Sequence, residues 1–333
     1  MSINLETIAK RAGVSRSTVS RVVHNRPNVG PATRARVLAV TQTLDPHLAR
    51  EDDPTPTLGL VIPRGVATLF TDPYFSLLVQ GISSACKANH YALMLWLADP
   101  EYERRTIHQL IEGTHLDGVI VVSNLVNDPV VQVLLARGVP FILIGRDLIH
   151  RRVSYIDIDN QNSARELVTH LLRLGRRRVA TITGPQNMIA GADRLQGYLL
   201  ALRDHGITPD PNLIVEADFT EAGGDAAMGR LLPFRPDAVF GASDVMVVGA
   251  LRAIREVGLR VPEDIAVAGF DDVPIATLID PPLTTVHQPI TRAGTVAVET
   301  LVELVKHPHS PARRIILPTE IIIRSSCGSE LPR

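Results

Sequence analysis

Apolar residues in the first 45 positions recur at spacings of three and four, a pattern typical of amphipathic helices. The pattern predicts a first helix over Leu5–Ala12, capped by Asn4 and followed by Gly13, which tolerates the positive φ of a turn. A second helix is expected from about Ser15 to His24. A third begins near Pro31, because proline is favoured in the first turn of a helix. Three short helices with a glycine in the first turn predict a helix-turn-helix head.

The second predicted helix carries two different faces. Val19, Val22 and Val23 would face a small core, whereas the opposite face is rich in Ser, Thr and Arg. Hydroxyl and guanidinium groups at the start of a short helix can bond to base edges and phosphates of DNA. The alternative that this pattern leaves open is a three-helix bundle that binds a protein and exposes a solvated basic face.

Residues 46–56 separate the head from the rest of the chain. The acids Glu51–Asp53 are followed by Pro54 and Pro56. This composition is typical of an exposed linker rather than of a core element.

From Thr57 onward, short apolar runs alternate with helical stretches such as Tyr74–Asn89. This alternation predicts parallel sheets that are covered by helices on both faces. Strands are expected near Leu58–Ile62, Ala92–Leu97, Gly118–Val122, Pro140–Ile144, Tyr155–Ile158, Val179–Thr183, Ala238–Phe240 and Ile265–Ala268. Similar stretches at Gly59–Pro63 and Val179–Pro185 indicate that the unit occurs twice. The predicted fold class is therefore α/β, with a body of two doubly wound parallel-sheet lobes and a ligand crevice between them.

Charge is divided unevenly between the head and the body. Residues 1–50 carry a net charge of +6 and the remainder carries −7, although the chain of 333 residues has a net charge of −1. A basic head on an acidic body indicates that the head contacts a polyanion.

Cysteine usage and hydropathy exclude other classes of protein. Cys86 and Cys327 stand in no metal-binding pattern, so we expect reduced thiols, no metal and no cofactor. The first residues lack an apolar signal core, and no uncharged run reaches ~18 residues. We therefore expect a cytoplasmic protein without a membrane partner.

The run Leu5-Glu-Thr-Ile-Ala-Lys-Arg-Ala-Gly-Val-Ser-Arg-Ser-Thr-Val-Ser-Arg-Val-Val23 contains the pattern A-x-x-A-G-V-S-x-x-T-V-S-R-V. Together with Thr33–Val37, this run resembles the DNA-binding head of the lactose-repressor (LacI/GalR) family. The resemblance implies a recognition helix that begins at Arg16 and reads double-stranded operator DNA. The implied DNA-binding residues are Leu5, Arg16, Ser17, Thr18, Ser20, Arg21 and His24. His24 stands where the family often has Asn.

The resemblance extends through the body, where Arg194–Gly197, Gly269–Asp272 and Pro282–Pro289 are similar to family motifs. It implies a periplasmic-binding-protein type I body whose chain crosses between the lobes three times. The implied division is 1–45 for the head, 46–56 for the linker, 57–159 plus about 289–312 for the N-lobe, and 160–288 plus about 313–330 for the C-lobe. In the linker, the family has a leucine that wedges into the DNA minor groove, whereas this chain has Asp52.

Candidate ligand contacts come from the strand ends and helix starts around the predicted crevice. Charged groups can pair with ring hydroxyls, and aromatic faces can stack on a sugar or a base. The candidate residues are Asp72, Tyr74, Phe75, Arg146, Arg194, Phe219, Ser243 and Asp271. The family motifs imply ligand contact for Arg194 and Asp271, whereas Asp244 is interpreted as a helix N-cap. Core packing is the alternative for the three aromatic residues, a surface role is the alternative for Arg146, and Ser243 stands where Asn is common in the family.

These features predict a ligand-responsive transcriptional regulator, which we expect to be a repressor. One recognition helix reads only a few base pairs, so we expect a homodimer on an inverted-repeat operator, with a tetramer as the larger alternative. The expected effector is a small polar molecule, a sugar first and a nucleoside or purine second. A stand-alone sugar-binding protein and a sugar-processing α/β enzyme are the alternatives. Neither accounts for the head, and no common catalytic motif occurs in a usable context, so we expect no enzyme activity.

Overall fold

The computed structural model describes residues 5–23, 26, 28–44, 55–62, 71–97, 116–122, 125, 128–150 and 152–329. Contacts divide the chain into two compact units, Met1–Pro56 and Thr57–Arg333. The predicted cap Asn4, the predicted DNA contact His24 and residues 45–54, which include Asp52, lie outside the described residues.

The described part of the first unit forms helices α1 (Leu5–Ala12), α2 (Arg16–Val23) and α3 (Pro31–Leu44). Gly13 has a φ of +65°, as the turn between α1 and α2 requires. Ser15 Oγ accepts a 3.1 Å hydrogen bond from Thr18 N and so caps α2. Ile8 and Val37 are completely buried, so the apolar positions that predicted these helices also form their common core.

The described part of the second unit alternates strands and helices. In chain order these elements are β1 (Thr57–Ile62), α4 (Pro73–Ala88), β2 (Ala92–Leu97), β3 (Gly118–Val121), α5 (Pro129–Arg137), β4 (Phe141–Ile144), β5 (Ser154–Ile158), α6 (Asn160–Arg173), β6 (Val179–Thr183), α7 (Ile189–Asp204), β7 (Ile214–Glu216), α8 (Glu221–Leu231), β8 (Ala238–Gly241), α9 (Asp244–Glu256), β9 (Ala266–Asp271), α10 (Ile275–Leu278), β10 (Thr284–His287), α11 (Ile290–Lys306), β11 (Arg314–Leu317) and β12 (Glu320–Ile322).

Two six-stranded sheets define two lobes within this unit. The first sheet has the order β11-β5-β4-β3-β1-β2, and the second has the order β12-β10-β9-β8-β6-β7. The pairings are parallel except that between β10 and β12, which is antiparallel. This doubly wound order places the C-terminal ends of the central strands at one edge of each sheet, where ligands bind in such folds.

The core lies on both faces of the first sheet. Leu58 and Leu60 pack with α4 and α11, whereas Val61, on the opposite face of β1, packs with α5. Burial on both faces explains why β1 is a continuous apolar run. Among the described residues, no helix combines the length and the apolar character needed to cross a bilayer.

The last passage between the lobes differs from the predicted boundary at about 313. β11 joins the first sheet, with Arg314 opposite Tyr155 and Leu317 opposite Ile158. The chain enters the second sheet only at β12, where Ile322 lies opposite Thr285. An apolar run identifies a strand, but it carries no information about which of two sheets the strand joins.

Candidate functional site

A pocket lies between the lobes, at the C-terminal ends of strands from both sheets. β5 and the start of α4 line it from the first lobe, and α7 and β9 line it from the second. The space between the lining atoms is about 850 Å³, part of it open to solvent. The predicted ligand residues that line it are Asp72, Tyr74, Phe75, Arg194, Phe219, Ser243 and Asp271.

Arg194 supplies a fixed positive charge in this pocket. Its residue is only 6% exposed, and Nε donates a 2.9 Å hydrogen bond to Asn160 Oδ1. Nη1 donates to the carbonyl oxygen of Ala242 at 2.6 Å and to Asp271 Oδ1 at 3.2 Å. The guanidinium carbon also lies 3.7 Å from the ring centroid of Phe270, a cation–π contact. These contacts compensate the burial of the charge and fix its position.

Asp271 ends β9 in a backbone conformation that few side chains adopt. Its φ is +115°, which stores strain of a kind that clusters at ligand sites. Besides the bond from Arg194, Oδ1 accepts a 2.6 Å hydrogen bond from Gln288 Nε2. Burial raises the pKa of this carboxyl to about 7, although Arg194 acts in the opposite direction. The pocket therefore holds a carboxyl whose charge depends on its surroundings.

Asp244 stabilises the turn that follows Asp271. Its Oδ2 accepts a 3.0 Å hydrogen bond from Val273 N, and its Oδ1 accepts a 2.6 Å bond from Thr285 Oγ1. The expectation that Asp244 caps α9 is wrong. The cap is Ser243, whose Oγ accepts a 3.3 Å bond from a backbone N–H in the first turn. Burial, with a contribution from the charge on Asp271, raises the pKa of Asp244 well above its usual range.

Two aromatic residues enter the pocket from the start of α4. Asp72 caps this helix, because its Oδ1 accepts a 3.0 Å hydrogen bond from Tyr74 N. The rings of Tyr74 and Phe75 meet edge to face with centroids 5.3 Å apart. Burial, followed by the charge on Asp271, raises the pKa of Tyr74, so the phenol keeps its proton and can donate a hydrogen bond. Phe75 lines the pocket and also packs into the core of the first lobe.

Phe219 enters the pocket from the second lobe, in the loop after β7. Its φ is +66°, which is rare for a bulky residue. The ring lies against the backbone of Gly184, where an added Cβ would be 2.0 Å from Phe219 Cζ. A glycine at that position therefore makes room for the ring beside the pocket.

Arg146 does not line the pocket, in contrast to the sequence prediction. Its Nη2 donates a 2.7 Å hydrogen bond to Asp193 Oδ1, and Nη1 pairs with Oδ2 of the same carboxylate. Arg146 lies in the loop after β4 and Asp193 lies on α7, so this ion pair joins the first lobe to the second. The guanidinium of Arg146 therefore pairs with a carboxylate of the protein and does not line the pocket.

Four polar lining residues were not among those predicted from the sequence: Asp157, Asn160, Asp218 and Gln288. Asp157 lies near the end of β5, within the run Tyr155–Ile158 that was predicted as a strand. Its position at the C-terminal end of a parallel strand was the available signal, because ligands bind at that edge of the sheet.

The recognition helix exposes the predicted DNA-binding face. Arg16, Ser17 and Arg21 are exposed, and Thr18 and Ser20 are half-buried. The hydroxyl of Ser15 lies 2.8 Å from those of Ser17 and Thr18, so these groups share hydrogen bonds in the first turn. Leu5, by contrast, is half-buried and packs against the core of the head.

Comparison with known proteins decides the family. Residues 4–47 match the description "Bacterial regulatory proteins, lacI family", and residues 168–327 match "Periplasmic binding protein-like domain". The HTH-type transcriptional regulator CelR of Thermobifida fusca is 39% identical over 331 residues, which are 97% of either chain. The chain belongs to the LacI family of bacterial regulatory proteins. The family and the fold predicted from the sequence are thereby confirmed.

Solved structures of LacI-family regulators share this architecture. A CelR–cellobiose complex has a TM-score of 0.78 and 38% identity, covering 97% of this chain and 99% of that chain. The lac repressor dimer bound to operator and the anti-inducer ONPF has a TM-score of 0.76 and 26% identity, covering 98% and 99%. Like these LacI-family proteins, the chain is a ligand-responsive transcriptional regulator and not an enzyme.

Proposed function

We propose that this LacI-family protein is a repressor that binds an inverted-repeat operator as a homodimer and responds to a sugar held between its lobes. The observation that carries the proposal is the pocket, in which polar groups of both lobes converge in a chain that also bears an exposed recognition helix. A ligand can change the affinity of the protein for DNA only if it binds two arrangements of the lobes with different affinity. A site that is formed by both lobes can supply that difference.

The chemistry of the pocket favours a neutral polyol over an anion. Its lining contains four aspartates, Asp72, Asp157, Asp218 and Asp271, but Arg194 is its single Lys or Arg side chain among the described residues. Carboxylates accept hydrogen bonds from hydroxyls and repel phosphates or carboxylates. Tyr74 and Phe219 add aromatic surface against which a sugar ring can pack.

Cellobiose is the first sugar to consider. The CelR structure that this chain resembles over 97% of its length is a complex with cellobiose.

The exposed face of α2 supports operator binding. Arg16 and Arg21 are exposed on this face and are not part of the core of the head. One helix reads only a few base pairs, so two such helices on paired half-sites would give the specificity that a single helix lacks.

A thermal-shift screen of the full chain tests the sugar proposal. Cellobiose, maltose, glucose, adenosine and adenine are added separately at millimolar concentration. A ligand that binds only the folded chain raises the unfolding midpoint. At 100 times its Kd it increases the free energy of unfolding by about 2.7 kcal/mol. We expect a sugar to give the largest shift. A shift with adenosine or adenine alone would contradict the sugar proposal and favour a nucleoside or purine effector.

A further inference from the structure

Asp157 is a buried carboxylate of the pocket that the first lobe does not fully satisfy. Its side chain is only 8% exposed. Oδ1 accepts a 2.8 Å hydrogen bond from Ile158 N and a 3.2 Å bond from Asn160 Nδ2. Oδ2 accepts no hydrogen bond within the described part of the chain. An unpaired acceptor at this depth is costly, so a structure retains it where a partner binds.

The nearest cation does not fill this role. Arg146 Nη1 lies 3.7 Å from Asp157 Oδ2, beyond hydrogen-bond distance. Both terminal nitrogens of Arg146 are instead directed to Asp193 of the second lobe. The positive charge of Arg146 therefore lowers the free-energy cost of burying the Asp157 carboxylate, but Arg146 donates no hydrogen bond to Oδ2.

The second lobe presents a comparable acceptor on the other side of the pocket. Asp271 is held by Arg194 and Gln288, and it lines the same space as Asp157. Tyr74 lies close enough to both carboxylates to be affected by their charges. A molecule in the pocket thus meets a carboxylate of each lobe.

We infer that Asp157 is a ligand-binding residue that accepts a hydrogen bond from a sugar hydroxyl through Oδ2. The sugar bridges Asp157 of the first lobe and Asp271 of the second, and so links pocket occupancy to the arrangement of the lobes. This inference rests on the proposed sugar-binding function. It selects a neutral ligand with hydroxyl donors at two separated positions, because a carboxylate can only accept.

Asp157→Asn tests this role with a change of one atom. The amide oxygen can keep the two hydrogen bonds of Oδ1, which places an N–H donor where Oδ2 had been an acceptor. Asp204→Asn is the matched control, because Asp204 also pairs with an arginine, Arg165 at 2.6 Å, but lies on the surface outside the pocket. Both variants and the natural full chain are titrated calorimetrically with cellobiose and with maltose. Their unfolding midpoints without sugar show that each is folded.

We expect Asp157→Asn to weaken binding of whichever of these sugars the natural chain binds by roughly 10- to 100-fold, the effect of losing one hydrogen bond to a charged acceptor. Asp204→Asn should bind as the natural chain does. Unchanged affinity in a folded Asp157→Asn variant, while Asp271→Ala abolishes binding, overturns this inference alone. Failure of the natural chain to bind either sugar overturns the proposed function and this inference with it. If Asp157→Asn does not fold, Asp157→Glu is titrated instead, and undiminished affinity in that variant, whose carboxylate is displaced by one methylene, also overturns the inference.

Discussion

Asp193 and Arg194 are consecutive residues of α7, yet their side chains pair with opposite sides of the pocket. Asp193 binds Arg146 of the first lobe, and Arg194 binds Asp271 of the second. The same turn of helix therefore carries the ion pair between the lobes and the fixed cation of the ligand site. A ligand that displaces one of these contacts also affects the other, because both are attached to one rigid element.

Removing Asp193 should reduce sugar affinity from a distance. In Asp193→Ala, Arg146 loses its bidentate partner, and the carboxylate of Asp157, 3.7 Å away, becomes its nearest counter-charge. The guanidinium then competes with the sugar for Oδ2. We expect cellobiose affinity to fall roughly tenfold, within the range reported for the loss of a charged hydrogen bond.

The double variant Asp193→Ala/Arg146→Ala separates this competition from a general loss of packing. With the guanidinium removed, Asp157 is again open to the sugar, so affinity should recover relative to Asp193→Ala. Calorimetric titration of the single and double variants gives the comparison. A double variant that binds more weakly than Asp193→Ala would refute the competition.

Truncation of Phe219 should weaken binding without unfolding the protein. Phe219→Ala removes the ring that lies over Gly184 at the pocket. We expect sugar affinity to fall by about 1 kcal/mol or more, as for the loss of one packed aromatic face. Phe234→Ala is the control, since Phe234 is a partly exposed phenylalanine outside the pocket. Equal affinities of the two variants would assign Phe219 to packing alone.

Stability in the absence of ligand should depend on pH through Asp157. Burial raises its pKa from the ordinary 3.8 to about 6, opposed by the hydrogen bond from Ile158 N and the charge on Arg146. Between these values the folded chain holds a proton that the unfolded chain has lost. The stability from this group is therefore present below pH 3.8 and is lost as the pH rises through 6.

Urea unfolding of the natural chain and Asp157→Asn at pH 4.5 and pH 7.5 measures this contribution. The free energy of unfolding of the natural chain, relative to the variant, should fall by about 2 kcal/mol between these two pH values. A difference that stays constant or grows with pH would show that Asp157 does not have a raised pKa in the folded chain.

The apolar pattern predicted the elements of both units because spacing reports burial directly. Val19 and Val22 of α2 and the apolar run of β1 are buried as expected. The family motif at Arg194 likewise led to the pocket, which Arg194 lines from the second turn of α7.

Long-range partners were not available from the sequence. Asp157 lines the pocket, but nothing in the sequence around it indicates that Arg146 lies 3.7 Å from its Oδ2. Arg146 was assigned to the ligand because nothing local identifies Asp193, 47 residues later in the chain, as its partner. β11 falls in the segment of about 313–330 that the resemblance assigned to the C-lobe, whereas it pairs with β5 of the first sheet, because its sequence does not show which of the two sheets it joins.

The linker sequence predicts that the operator is bent little. Asp52 stands where the family has a wedging leucine, and it lies between Glu51 and Asp53. Phosphates repel these acids, and the prolines at 54 and 56 oppose a helix through the linker. We expect little bending by the natural chain in a gel phasing assay, and no change with Leu48→Ala. Strong bending that Leu48→Ala abolishes would instead identify Leu48 as a shifted wedge.

Whether a sugar in the pocket controls the head is tested most directly by the affinity of the full chain for its operator, with and without cellobiose. The operator is first selected from random duplex DNA, and binding is followed by fluorescence anisotropy at fixed salt, because phosphate contacts make affinity salt-dependent. We predict that the selected sequence is an inverted repeat and that saturating cellobiose changes its Kd by roughly 5- to 150-fold, the usual range of coupling between two sites. Asp271→Ala should bind the operator as the natural chain does but show no change with cellobiose. An identical Kd with and without cellobiose in the natural chain, at concentrations that saturate the pocket, would contradict the account.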